Sequence, residues 1–149
     1  MRRAIALATK NVSRGGGPFG CVIERAGEIV ATGVNQVTAM NDPTAHAEVT
    51  AIRAACKALS SFQLRGCTVY TSCEPCPMCL AALYWSRCDA IFYGNTAADA
   101  TAIGFDDSFL YAEIAKPVAQ RKIPTARLLG EEAMESFDKW RATPNKIEY

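Results

Sequence analysis

Cys67-Thr68-Val69-Tyr70-Thr71, then Ser72-Cys73-Glu74-Pro75-Cys76-Pro77-Met78-Cys79, then Leu80-Ala81-Ala82-Leu83-Tyr84-Trp85: this stretch decides the fold. Its first part is short, apolar and β-branched, and reads as a buried strand. Proline is tolerated in the first turn of a helix, where backbone N–H groups have no intrahelical partner. Pro75 and Pro77 therefore mark a helix start, and residues 76–85 read as helix. A further strand is predicted at 90–93. Strands alternating with helices indicate an α/β layered fold, in which a sheet buries its faces against helices.

Working outward, residues 1–12 place Ile5, Ala8 and Val12, with Ala4 and Leu7, at helical spacing. Arg14-Gly15-Gly16-Gly17-Pro18 breaks that helix. Residues 19–25 and 28–34 read as a strand hairpin around Ala26-Gly27, which makes the sheet mixed. A loop at 35–43 precedes a helix that begins at Thr44 or Ala45 and runs to about Leu59. Val49, Ile52, Ala55 or Cys56, and Leu59 share its apolar face. Beyond Gly94 we expect a short helix over 95–103, a turn at 104–108 with an N-cap signal, and a helix over 109–115. An irregular piece between Pro117 and Pro124, a strand at 126–129, a helix over 131–141 and a tail complete the chain. The stripe Ala133, Met134, Phe137, Trp140 suits packing or an oligomer contact. The expected architecture is an α/β/α sandwich around a mixed sheet of about five strands. The N-termini of the helices after residues 44 and 75 should converge at one sheet edge.

The 149 residues suit a single domain, 1–149, with a sizeable core. Net charge is +1, so no clustered basic footprint for nucleic acid is expected. No apolar run reaches transmembrane length, so no membrane partner is expected either. The apolar stretch after Met1-Arg2-Arg3 ends at Thr9-Lys10, too short for a secretory signal. With seven cysteines, an odd count, this favours a reducing cytoplasm and cysteines used for metal and core.

The only histidine, His46, lies in Thr44-Ala45-His46-Ala47-Glu48. With Pro75-Cys76-Pro77-Met78-Cys79 it forms His-x-Glu…Pro-Cys-x-x-Cys, the signature of zinc-dependent nucleobase deaminases. Zn²⁺ takes imidazole nitrogen and thiolate sulfur, and a catalytic zinc keeps a fourth position for water. His46, Cys76 and Cys79 are the candidate ligands. Cys76 and Cys79, at i and i+3, share a helix face near an N-terminus whose partial positive charge favours thiolates. Positions i and i+2 do not face the same way on a helix, which disfavours Glu48 as a second ligand beside His46, and the deaminase signature makes it the candidate proton shuttle instead. Three other readings stand beside this one. Cys73 would close a structural Cys₃His site in a zinc-stapled binding module. The cysteines could be reduced and metal-free. The Cys-x-x-Cys could serve a thiol redox protein.

Four blocks carry a closer resemblance: Gly16-Gly17-Pro18-Phe19-Gly20, residues 41–49 around His46, residues 71–79, and Gly104-Phe105-Asp106-Asp107-Ser108-Phe109. Together with the terminal Tyr149 they resemble the bacterial guanine deaminases of the cytidine deaminase superfamily. The resemblance implies a cytidine deaminase-like fold and a zinc cofactor. It implies hydrolysis of guanine to xanthine and ammonia, with zinc-bound hydroxide attacking C2 and Glu48 moving protons. It also implies that Asn35, the Ala47 N–H, Asp107, Phe19 and Trp85 hold the base, with Asp107 counted among the catalytic residues. Guanine deaminases of this kind form homodimers whose C-terminal segment, here about 131–149, is swapped, so Tyr149 would act on the partner's site. Guanosine, cytosine and tRNA adenosine are the alternative substrates. On residue chemistry alone, Asn35 is equally a turn residue, Asp106 or Asp107 a helix cap, and Phe19 and Trp85 core.

Overall fold

The computed structural model describes all of Met1–Tyr149 and resolves into two compact units, Met1–Ser108 and Phe109–Tyr149. The first unit runs α1 (Arg2–Val12), β1 (Gly20–Arg25), β2 (Glu28–Val34), α2 (Val37–Met40), α3 (Ala47–Leu59), β3 (Cys67–Cys73), α4 (Pro77–Ser86), β4 (Ala90–Asn95) and α5 (Ala97–Ala102). α6 (Ser108–Ala115), a 3₁₀ turn (Val118–Gln120) and α7 (Gly130–Ala142) follow.

The sheet has four strands in the order β2-β1-β3-β4. The predicted strand at 126–129 does not form. Leu128 and Leu129 are exposed, and Leu129 sits in the left-handed region (φ 49°) as the N-cap of α7. An apolar run becomes a strand only where a neighbour pairs with it, and this one has none. β1 is antiparallel to both β2 and β3, and β3 is parallel to β4. β2, β3 and β4 therefore run the same way. Their C-terminal ends, Val34, Cys73 and Asn95, lie at one edge, where Gly20 begins β1 opposite Val34. Every segment that enters or leaves the sheet there brings its side chains to the same place.

Two glycines fix the layers. A Cβ on Gly20 would collide with α1, 2.7 Å from the Ala8 nitrogen, and one on Gly33 would collide with α3, 2.6 Å from the Ala51 nitrogen. Gly33 pairs with Cys21, the residue after Gly20, and side chains alternate along a strand. Hence α1 and α3 cover opposite faces, giving the expected α/β/α layering. This close approach also selects the helix faces. α1 buries Ala4, Ala8 and Asn11 rather than Ile5 and Val12. α3 buries Ala47, Glu48, Ala51 and Ala55, with Ile52, Cys56 and Leu59 at the margin. Ile23, Leu64, Val69 and Leu83 fill the core between sheet and helices.

Candidate metal centre

Both predicted metal-bearing helices start later than the sequence suggests, and the difference builds the site. His46 is the N-cap of α3 and Cys76 the N-cap of α4, each with extended backbone (ψ 160° and 166°). Thr44 and Ala45 thus precede α3, while Pro77 takes the N1 position of α4, where its missing N–H costs nothing. Cys79 follows on the first turn of α4, on its buried face with Leu83 and Ser86. The two helix N-termini meet as expected, and His46, Cys76 and Cys79 bring donor atoms within 4.8 Å of one another.

His46 Nδ1 lies 3.6 Å from Cys76 Sγ and 3.4 Å from Cys79 Sγ. Two ligands on a tetrahedral zinc, with bonds of about 2.05 and 2.3 Å, stand about 3.6 Å apart. The donor set therefore fits zinc in both chemistry and spacing. Hydrogen bonds from Cys79 and then His46 bring the Cys76 thiol down to about 4, making it the thiolate of the group. The hydrogen bond to Cys76 in turn raises His46.

Cys73 lies outside this cluster. Its thiol donates to the Thr96 carbonyl at 3.6 Å, and burial pushes it up to about 11. Three donors converge, not four, which is the arrangement of an open rather than a closed zinc site. Glu48 is also outside the donor cluster and is 5% exposed. One of its oxygens accepts a hydrogen bond from the Thr71 hydroxyl at 2.7 Å. Thr71 pairs with Cys21 on the sheet face that α3 covers, and this places its hydroxyl under Glu48. The sequence reading missed Thr71, since a threonine in an apolar strand looks like a β-branched core residue.

The other expected site residues divide. Ala47 is fully buried at the first position of α3, where a helix offers no carbonyl to its N–H. Asn35 is buried. Its N–H donates to the Phe19 carbonyl at 3.2 Å and its side-chain oxygen accepts from the Val37 N–H at 3.3 Å. Phe19 meets Phe105 edge to face, ring centroids 4.9 Å apart, a contact not foreseen in the sequence. Asp106 and Asp107 separate cleanly. Asp106 accepts the Ser108 N–H at 2.9 Å and is held below the ordinary carboxylate range by Ser108. Asp107 is raised, by burial first and then by the Cys76 thiolate. Trp85 is 64% exposed, off the buried face of α4, and Tyr149 ends the second unit.

Comparison with known proteins agrees with this geometry. The cytidine and deoxycytidylate deaminase zinc-binding region matches residues 1–95. Guanine deaminase of Bacillus subtilis (strain 168) is 55% identical over 150 aligned residues, covering 100% of this chain and 96% of that protein. An X-ray structure of the Bacillus subtilis enzyme superposes with a TM-score of 0.97, at 55% identity over 99% of this chain and 95% of the other. A tRNA-specific adenosine deaminase of Aquifex aeolicus is 39% identical over 93 residues, 62% of this chain and 62% of its own length. A structure of guanine deaminase from Nitrosomonas europaea matches with a TM-score of 0.69, at 31% identity over 71% of this chain and 62% of that one. The chain thus belongs to the zinc-binding cytidine and deoxycytidylate deaminase family, and within it stands with the bacterial guanine deaminases.

Proposed function

We propose that this protein hydrolyses guanine to xanthine and ammonia. The observation that carries the reading is the open three-donor site beside a buried carboxylate that is not a ligand. His46, Cys76 and Cys79 would hold zinc, which would supply a water acidified to near neutral pH and a Lewis acid for the attacking oxygen. Glu48 takes one proton from the attacking water and passes it to ring N3 as the C2–O bond forms, then moves the second from the new hydroxyl to the exocyclic nitrogen as the C2–N bond breaks and the carbonyl closes. The amine leaves as ammonia. Asn35 offers both a donor and an acceptor to the ring edge, and the Ala47 N–H points from the helix start. Asp107, an acceptor when ionised, suits the donor-rich face of guanine and assists catalysis there. Phe19 and Trp85 supply apolar walls.

The choice of guanine rests on whole-length similarity to guanine deaminases. Ammonia release from guanine, guanosine, cytosine and tRNA tests it. Guanine alone should react; an inert guanine beside a reactive second substrate overturns the choice of base. The reading includes one deaminase domain over 1–149 in a reducing cytoplasm. All seven cysteines are free, and no helix is long and apolar enough to cross a membrane.

It also includes a homodimer with the segment from about residue 131 exchanged and Tyr149 acting on the partner's site. Support comes from the second unit itself, in which no residue is buried. Ile123, Leu128 and Phe137 are 78%, 82% and 65% exposed. Covering three such side chains is worth roughly 5–9 kcal/mol, at about 1.5–3 each, and a segment this short without disulfides needs a second surface. Deleting residues 145–149 should abolish most guanine turnover with zinc retained. Unchanged turnover removes the tail from the mechanism.

A further inference from the structure

The run Gly15-Gly16-Gly17 reads as a helix breaker, yet only Gly15 needs a positive φ (81°). Gly16 and Gly17 are glycines for another reason. The three atoms a Cβ on Gly16 would meet first all belong to the Asn11 side chain, with Asn11 Cγ at 2.8 Å. A Cβ on Gly17 would stand 3.2 Å from Asn35 Cγ. Asn11, nearly buried on α1, uses its amide group twice: it donates to the Gly17 carbonyl at 2.8 Å and to the Asn35 carbonyl at 2.8 Å. Its own carbonyl accepts the Gly16 N–H at 3.0 Å. Asn35 in turn donates its N–H to Phe19. These bonds close a ring from α1 through the glycine turn to Phe19, Asn35 and back.

An alanine at position 11 would extend the Ala4–Ala8 stripe with no polar group to satisfy. A buried amide is tolerated only with its bonds made, and fully bonded networks specify geometry more than they add stability. None of the ring's bonds reaches a metal ligand or Glu48. We propose that Asn11 is a positioning residue. It fixes the backbone of Asn35 and of the turn leading to Phe19, and so sets affinity for the purine without touching metal binding or proton transfer. The inference rests on the reading in which Asn35 and Phe19 hold the base.

The test uses full-length Asn11→Asp, Asn11→Ala, Gly16→Ala and the Asn11→Ala/Gly16→Ala double variant, each assayed for guanine turnover and zinc content. Asn11→Asp keeps the shape but sets an oxygen against two carbonyls. Both Asn11 variants should raise KM about tenfold or more, the loss expected from two buried hydrogen bonds, with kcat within about threefold and zinc unchanged. Gly16→Ala should raise KM similarly by displacing the Asn11 side chain, yet add nothing in the Asn11→Ala background, where the obstructing atoms are gone. An unchanged KM overturns the proposal, as does a fall in kcat or zinc that matches the rise in KM. If Asn11→Ala is insoluble, Asn11→Asp and Gly16→Ala still decide the matter. Wild-type protein inert toward guanine refutes the choice of base instead, and the variants are then scored on whichever base it does deaminate.

Discussion

Replacing Thr71 with valine isolates the hydrogen bond beneath the proton shuttle. Valine nearly matches threonine in shape, and Thr71 is fully buried. What disappears is one hydroxyl, which donates to a Glu48 oxygen at 2.7 Å. That bond is buried and made to a carboxylate, the charge-assisted class worth a net of about 1.5–3 kcal/mol. If the bond serves to orient the carboxylate at the transition state, its loss appears as about a 10- to 150-fold drop in kcat. Binding of guanine does not depend on it, so KM should move less than about threefold, and zinc should stay near one per chain. Thr71→Ser restores the hydroxyl without the methyl and should recover most of the rate. The assay is ammonia release at saturating guanine with metal analysis of the same samples. A Thr71→Val enzyme with wild-type kcat refutes the reasoning; so does a serine variant as impaired as the valine one, because then the methyl and not the hydroxyl matters.

Glu48→Ala should lower guanine turnover by at least about 100-fold, the scale of a general acid–base group, with zinc retained; loss of metal would make Glu48 a ligand. Cys73→Ser should keep its zinc, since the thiol bonds the Thr96 carbonyl outside the donor cluster, whereas Cys76→Ser and Cys79→Ser should lose most of it. Metal content of freshly purified protein separates the three variants. Asp42 accepts both the N–H and hydroxyl of Thr44 just ahead of His46, and these bonds, with a smaller contribution from Arg53, lower its pKa. A depressed carboxylate contributes stability above its unfolded pKa of about 3.9 and loses it as pH falls through the lower folded value. Asp42→Ala should therefore melt below wild type by a constant margin from pH 7 to 5, narrowing only under about pH 4. A margin already gone at pH 5 in thermal melts would contradict the assignment.

How much of this was legible depended on whether the signal was local. The His46, Cys76 and Cys79 donor set was legible because zinc chemistry restricts both residue type and spacing. Strands β1 to β4 were legible because each carries its own apolar run. What escaped were features defined by a distant partner. Asn11 lay outside the apolar spacing of Ile5, Ala8 and Val12 with Ala4 and Leu7; the closeness of α1 to Gly20 selects Ala4 and Ala8 from that set and turns Asn11 inward with them. Residues 126–129 looked like a strand because nothing in them records that no neighbour pairs with them. The short helix Val37–Met40 was hidden in a loop of turn formers. Asp106 and Asp107 are adjacent and chemically identical, so only the Ser108 N–H could show which of them holds the turn before α6.

The boundary of the family match explains why chemistry and substrate choice were legible to different degrees. The zinc-binding region ends at residue 95, the last residue of β4, and includes every metal ligand, Glu48 and Thr71. Similarity to the Bacillus subtilis guanine deaminase runs past that boundary and spans the whole chain. Residues 96–149 thus lie outside the zinc-binding region but within that similarity, and Asp107 and Tyr149 are among them. β4 delivers its C-terminal end to the same sheet edge as the zinc ligands, because β2, β3 and β4 run in one direction. From there Glu74 accepts the Ala97 N–H at 3.0 Å, tying the loop before Cys76 to the start of α5. The parallel pairing of β3 and β4 therefore lets the segment that carries Cys76 and Cys79 and the segment after β4 leave the sheet side by side. Substitutions after residue 95 should change which base reacts before they change whether zinc binds.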